Sequence, residues 1–583
     1  MVKIESANQP EYLKLIDDLS SDSIHFIDKY EFWIAPNFLK QTFKGKLAVF
    51  KECLFVGHVY FTDTNIAGGV SFEKCTFRYG LTFDNCISED HHYLLSDNSP
   101  FSISFSNCEV GNRFIVKSCQ FMHDILIHRD CKIADIEFSE SKMPGIRVLD
   151  STVQGQITIN DFDLDDLNFD RSTFLKTIFL KKCNGEFNLT SSNFQNKVNL
   201  EECIMGALLT QQLHMEAELE LKDCKVNGIA QLNDSIFEKN VLIGNEISFE
   251  NQKSYIEELH LRASDFKGGF SFYGNSLSRN LDVGNIEIAC SNRLKGDLSF
   301  TGLSIRSICF FGINEQSILL AYSHVSIINL SGLINKGAFS LVSIYPILES
   351  GPQFYISSSV LGKTFISDCD LSKFKKIEIT NSNLTELTTT SVRWFEDYHL
   401  NDDLPPEKTT GQLHYFHTKR EIYRQLKFAM ERQGDAVGRL EFKRKELNSY
   451  RNELKQYKWN YRMGDKLILW LGQSNDYGFN WLKPIALILI FTLGAYTVLA
   501  ICSNPFLTWQ PSSKDFWFTI NFLKVNFYNY FILLNPAHKL SELFKIKDND
   551  TFGFWFAFWD FLDRLIISYL IFQMITAFRK YVS

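Results

Sequence analysis

The sequence predicts a mainly β chain: a parallel β-solenoid, followed by an α-helical hairpin and a C-terminal α-helical transmembrane module. Three observations predict it. One phrase recurs at a fixed step, with Phe50, Phe61, Phe72 and Phe83 eleven residues apart and Cys53, Thr64, Cys75 and Cys86 keeping that step three positions later. Residues 419–462 carry thirteen Lys/Arg against six Asp/Glu, while the formal charge of the whole chain is −8, so the remainder sums to −15. Two long apolar runs, 482–501 and 553–578, lie near the C-terminus.

Each element follows in chain order. Residues 1–46 read as a cap, with a short amphipathic helix pattern (Tyr12, Leu13, Leu15, Ile16, Leu19) covering the open end of a solenoid. From 47 to 390 the phrase persists, at Phe105/Cys108, Phe138/Ser141, Leu180/Cys183, Leu221/Cys224 and Ile366/Cys369 among others. Apolar and polar side chains alternate around each copy, the period-two mark of strands with one buried face. A step of about eleven suits a solenoid whose every coil contributes two phrases. That gives roughly sixteen coils and a rod of about 75 Å, with loops expected near 86–105 and 240–260. The abundance of Phe (53 residues) beside only 12 Pro fits a long, regular, bulky interior.

These phrases resemble the pentapeptide-repeat family and its degenerate relatives, which have a Phe or Leu at the coil centre. The resemblance implies a right-handed parallel β-helix. The alanine-aspartate/asparagine-leucine phrase of that family is rare here.

Residues 391–412, with Pro405-Pro406, read as a linker. Residues 413–462 read as a basic helical hairpin, broken at Gly434, with Asp435 placed to cap the second helix. Ile422, Leu426 and Met430 on one helix, with Val437, Leu440 and Leu447 on the other, form the expected seam.

Residues 463–583 read as the membrane module. The stretch 482–501 is long enough for a bilayer core, with Trp481 and Trp509 as interface anchors. The stretch 553–578 is also long enough but carries Asp560, Asp563 and Arg564, which are costly in lipid. Between them, 516–534 is interrupted by Asn521, Lys524, Asn526 and Asn529 and reads as a re-entrant or interfacial segment. Basic residues flank the spans: Arg444, Lys445, Lys455, Lys458, Arg462, Lys466 and Lys483 before, Arg579 and Lys580 after. The positive-inside rule then places both termini in the cytoplasm, with the basic hairpin on anionic headgroups of the lipid bilayer.

The order YRQLKFAMERQGD…EFKRKELNSY, LGQSNDYGFNWLKP, a span, ILLNPAH and LIFQMITAFRKY is similar to the C-terminal half of bacterial pentapeptide-repeat membrane proteins. That resemblance implies a two-span, ion-channel-like module in a bacterial inner membrane. No TVGYG-type filter stands between the spans, so potassium selectivity is not implied.

Ligands one coil apart form a file rather than a tetrahedron, so the Cys ladder reads as buried small residues and no metal or cofactor is expected. The start MVKIESANQPEYLKLIDDL shows no export signal, so the thiols are expected to be reduced. The acids Asp161, Asp163, Asp165, Asp166 and Asp170 read as a solvated face, no catalytic triad or phosphate loop is present, and an enzyme is not expected. The modest negative charge is spread over a long chain, so DNA mimicry and nucleic-acid partners are not expected either.

The sharpest candidates are Asp560, Asp563 and Arg564, with Gln573, Asn526 and Lys524 as further pore-lining candidates. Asp560 and Asp563 share a helical face, and Arg564 stands four residues after Asp560. Two readings stay open: an acidic ring at a pore mouth in a homo-oligomer, or a charge pair that holds the helices together. At the level of the chain, the first hypothesis is a gated channel or pore with a β-helical arm that senses an unknown protein or small-molecule ligand. A membrane-disrupting defence effector is a variant of it, and a membrane-anchored β-helical scaffold is the alternative.

Overall fold

The computed structural model describes residues 2–19, 24–43, 47–89, 101–244, 254–274, 282–400, 410–458, 460–503, 507, 515–545 and 553–579. The chain divides into two units, Met1–Asp402 and Asp403–Ser583.

The first unit is a parallel β-solenoid of about 15 turns. Its logic is visible in the early coils. Strand Leu47–Lys51 pairs in parallel with Val70–Glu73, so that Phe50 lies on Phe72, twenty-two positions on. Strand Val59–Thr62 pairs likewise with Gly80–Asp84, setting Phe61 on Phe83. One coil therefore takes two phrases, and the eleven-residue step is half a turn. Because each coil repeats the register of the last, inward rings stack. Phe38, Phe61 and Phe83 follow one another at centroid distances of 4.6 Å, and Phe32, Phe55 and Phe77 at 4.8 and 4.6 Å. These spacings match the distance between hydrogen-bonded strands. Phe50, Phe72 and Phe105 form a third stack at 5.2 Å.

The small residue of each phrase sits at a corner, as its spacing predicts. Glu52, Asp63, Lys74 and Asn85, one before each small residue, take left-handed φ of 50–53°. The turn leaves the following N–H pointing along the stack, and the next coil supplies its acceptor. Cys75 N donates to Cys108 Sγ (3.4 Å), Cys108 N to Cys131 Sγ (3.4 Å), and Ser151 N to Ser172 Oγ (3.1 Å). Several of these thiols and hydroxyls in turn reach back to the preceding coil: Cys75 Sγ to the Phe50 carbonyl and Cys108 Sγ to the Phe72 carbonyl (both 3.2 Å), and Ser172 Oγ to the Val148 carbonyl (3.0 Å). Cys, Ser and Thr recur because a small donor-acceptor is needed where a buried N–H has no strand partner. Burial pushes the Cys290 thiol up to about 12 and the Cys369 thiol up to about 11, so at neutral pH both stay protonated and unreactive.

The solenoid extends beyond the predicted bounds at both ends. Val2–Ile4 already pairs with Tyr30–Phe32, and Ile24–Asp28 with Leu47–Lys51. Residues 24–43 are thus a full coil, and the cap contracts to α1 (Pro10–Leu19), which buries Tyr12, Leu15 and Leu19. At the other end Arg393 bridges Asp370 and Leu400 bridges Ile377, so 391–400 belong to the last coil rather than to a linker. The ladder persists there and Phe395 is buried, but no small residue stands three positions after it to complete the phrase. The rest of the predicted linker up to 409, and much of the two expected loops (90–100 and 245–253), lie outside the described residues. The acidic run falls in strand Ile157–Asp170, where Phe162, Leu164, Leu167 and Phe169 are buried and Asp161, Asp163 and Asp165 are exposed, as expected of a solvated face.

The second unit is helical. Helices α2 (Thr410–Gln433) and α3 (Ala436–Lys455) form the hairpin, and Asp435 Oδ1 accepts from the N–H groups of Val437 and Gly438. Ile422, Leu426 and Met430 are buried as predicted, whereas Val437 is exposed at the turn and Phe442 takes the seam position against Tyr423. A short helix α4 (Met463–Gly472), which sequence periodicity did not single out, precedes α5 (Leu482–Ser503). After α5 come α6 (Asp515–Val525), α7 (Tyr528–Leu533) and the long α8 (Phe554–Phe578). Helices α5 and α8 run antiparallel, with Trp481 at the start of one against Phe578 at the end of the other (4.8 Å). Both are long and apolar enough to cross a membrane, and only 22 % of each apolar window is buried. A soluble core helix would hide most of that surface. The described part of helix α6 has 11 residues, about 16 Å, less than a bilayer core.

Candidate functional site

The segment between the two long helices builds the site. Helix α6 stops at Val525, and the chain bends before α7. Asn529, fully buried, holds the bend: its Nδ2 donates to the Asn526 carbonyl (3.0 Å), and its Oδ1 accepts from Phe544 N (3.0 Å). Tyr496 of α5 donates its hydroxyl to the Leu523 carbonyl, and Tyr530 of α7 donates to the Leu489 carbonyl (3.3 Å). Tyr496, Leu499, Tyr530, Leu533, Leu543 and Phe556 form the apolar core around these bonds. The Leu523 carbonyl, in the last turn of α6, is thus met by a side chain of the neighbouring helix α5, and the Asn526 carbonyl by Asn529 of the same segment, the condition for irregular backbone among apolar helices.

Just past α7, the turn Asn535–His538 presents His538 to α8. His538 Nε2 lies 2.8 Å from Asp560 Oδ1, and the other carboxylate oxygen accepts from Arg564 Nε at 2.7 Å. The imidazole and the carboxylate are almost wholly buried, at 1 % and 4 % side-chain exposure, whereas Arg564 is 30 % exposed. The second imidazole nitrogen, Nδ1, lies 2.7 Å from the Asn535 carbonyl, which can only accept. Both ring nitrogens therefore face acceptors, and the geometry selects the doubly protonated, charged ring. Burial works against that charge, but the Asp560 carboxylate and the Asn535 carbonyl outweigh it and raise the His538 pKa above its ordinary value. Asp563, one turn further along α8, is also buried, and its Oδ2 has no hydrogen-bond partner. The formal charges of two acids and two bases balance within the cluster.

The sequence-predicted residues separate into those this cluster unites and those it does not. Asp560, Asp563 and Arg564 meet as their helical spacing required. His538 was missed: it is a single histidine twenty-two positions from its partner, and the only signal was its place in the ILLNPAH run. Lys524 is exposed on α6, and the Asn526 side chain turns back to the Phe522 carbonyl (3.0 Å). Gln573 is partly buried, and its backbone carbonyl accepts from Asn475 Nδ2 (3.1 Å).

Of the expected membrane-surface cations, several bond within the unit: Lys455 donates to Asn452 Oδ1 (3.2 Å), Arg462 to the Tyr450 hydroxyl (2.9 Å) and Lys466 to the Lys458 carbonyl (2.7 Å). Arg444 pairs with Asp476 (3.2 Å) over the Phe479 ring, and Lys445 is buried and pairs with Glu441 (3.3 Å). Arg444 faces inward because the hairpin packs on the turn Gln473–Gly478, which a count of charges does not reveal. Lys455 and Lys466 line an apolar cavity of about 550 Å³ with Arg451, Tyr457 and Trp470. Lys458, Arg462, Lys483 and Arg579 are exposed, while Lys580 and Trp509 lie outside the described residues.

No family model matches the chain, and neither a curated protein nor a solved structure matches it.

Proposed function

We propose that the chain is an integral membrane protein whose helical unit crosses the bilayer twice and assembles as a homo-oligomer into a gated pore. The solenoid is its sensing arm. The observation that carries this reading is the buried His538–Asp560–Arg564 cluster, with Asp563 beside it, inside a helix pair whose outer surface is apolar. Ionisable groups are expensive at such a place and are kept where they serve ions, protons or a switch. In a resting copy Asp560 is held by its own histidine and arginine, so the acids stand behind the broken helix rather than at an open mouth. Release of the His538 turn would remove one of the two cations on Asp560 and uncover Asp563 beside it, which makes the cluster the natural gate.

The exposed Lys458, Arg462 and Lys483 precede the first span and Arg579 follows the last, which supports cytoplasmic termini and a bacterial inner-membrane location. The eleven-residue step and the order of C-terminal motifs support kinship with pentapeptide-repeat membrane proteins, among which a membrane-disrupting defence effector is one form of such a pore. The arm's ligand, a protein or a small molecule, would dock on the outward residues between the corner rungs.

A second reading is a membrane-anchored scaffold. It is favoured by one observation: both Asp560 oxygens are satisfied within a single copy, as a purely structural clasp requires. The oligomeric state of the full chain in detergent separates the two. A symmetric tetramer or larger ring supports the pore, and a strict monomer, with two spans per copy, cannot enclose one. In proteoliposomes the pore reading expects Asp563→Asn to change permeability or ion preference, whereas the scaffold reading expects no flux from either protein.

A further inference from the structure

Where α4 meets the two long helices, a cleft of about 510 Å³ opens between Trp470, Leu487 and Phe491 on one side and Leu565, Ile566 and Leu570 on the other. Its volume lies in the usual range of ligand sites, about 300–1,000 Å³. The walls are apolar, but three polar groups stand among them. Lys483, in the first turn of α5, is exposed. Ser474, in the turn before α5, and Tyr569, on α8, each have a buried hydroxyl with no hydrogen-bond partner. A buried hydroxyl without an acceptor costs about 1–3 kcal/mol, so an acceptor brought to these two donors would gain most at this cleft.

We propose that this cleft binds one anionic glycerophospholipid, with its phosphate on Lys483, headgroup or ester oxygens accepting from Ser474 and Tyr569, and an acyl chain between α5 and α8. The inference rests on the reading that these helices cross the bilayer. Given that, the side chains along the cleft face hydrocarbon, and its charged end faces the headgroup layer on the side of the basic hairpin. A lipid meets both conditions at once, an amphiphile lying along a boundary. A free phosphate would leave the apolar walls exposed, and a soluble apolar ligand would leave the ammonium and both hydroxyls without partners. The lipid would also brace the pair of long helices close to the chain that leads into the first of them.

Trp470 supplies the test. The full chain is reconstituted in phosphatidylcholine vesicles containing a minor fraction of brominated phosphatidylglycerol or, in parallel, brominated phosphatidylcholine. The Trp470 contribution to quenching is isolated with Trp470→Phe. Brominated phosphatidylglycerol should reach half-quenching at about a fivefold lower mole fraction, the preference expected from one nearby lysine. Lys483→Gln should abolish that preference, which also separates this cleft from the neighbouring cavity of Lys455 and Lys466. Tyr569→Phe should weaken quenching while melting like the wild type, because its hydroxyl bonds to no protein group. Equal quenching by the two lipids, a preference that survives Lys483→Gln, or displacement by excess inorganic phosphate overturns the proposal. Failure of the chain to float with the vesicles overturns the membrane reading itself, and floating without preference overturns only the lipid site.

Discussion

Replacing Asp560 by Asn keeps the shape of the side chain and removes its charge. In the native unit each carboxylate oxygen holds a cation, His538 at 2.8 Å and Arg564 at 2.7 Å. The histidine side of the cluster is buried at 1 % and 4 %, so its partner cannot turn to water when the carboxylate is gone. Breaking such a pair from one side costs about 3–5 kcal/mol, because it leaves an uncompensated buried charge. Arg564, at 30 % exposure, recovers hydration and adds less than about 1 kcal/mol. His538 can also shed its proton, which brings the total toward the lower bound, about 3 kcal/mol. For a unit of this size each kcal/mol moves the melting temperature by about 2–4 °C, so the transition should fall by about 6–12 °C. The assay is thermal unfolding of the full chain in detergent, followed by tryptophan fluorescence, with the double variant Asp560→Asn/His538→Gln to close the cycle. The double variant should melt above the sum of the single losses, with a coupling of at least about 2 kcal/mol. A loss below about 1 kcal/mol for Asp560→Asn, or additive single losses, refutes the claim that this cluster clasps the broken helix to α8.

Three further outcomes follow from the same structure. The His538 pKa is raised on folding, so the stability it contributes is present in full below its ordinary value of about 6.5 and is lost as pH rises through the folded value; with Asp560, Asp563 and Arg564 facing it, the melting temperature of the wild type should decline on raising the pH above neutrality, and His538→Gln should flatten that slope. In the solenoid, Cys108→Ser keeps the donor and acceptor of the rung and should be near neutral, whereas Cys108→Val orphans the Cys75 N–H and should cost about 1–3 kcal/mol in denaturant unfolding. Phe72→Ala removes a ring fully buried between Phe50 and Phe105 and should cost about 3–5 kcal/mol by the same measurement.

How much of this could be read from the residues depends on how the residues find their partners. The solenoid was legible because stacking is a translation: the partner of Phe50 is Phe72, and the sequence repeats at that interval. Its ends were less legible, since a terminal coil needs only its ladder contacts: Arg393 and Leu400 keep those, while the buried ring Phe395 has no small residue three positions on to mark the phrase. The Asp560–Arg564 pair was legible from helical spacing alone. His538 was not, because its contact with Asp560 depends on how a bent segment returns to α8, and that bend is set by Asn529 and two tyrosine hydroxyls rather than by any periodicity. Arg444 shows the same limit from the other side. Counted as charge, it belonged to a membrane-facing patch; placed in the fold, it answers Asp476, thirty-two positions on.

The central claim is that α5 carries the chain across a bilayer from the cytoplasmic side. Cys502, in the last turn of α5, tests it most directly, because it is the exposed thiol among the described cysteines, eleven others being buried and Cys309 intermediate. A membrane-impermeant maleimide added to intact cells that express the full chain should label the wild type, and Cys502→Ser should remove the label. Labelling of Cys502 only after the cells are permeabilised would contradict the account.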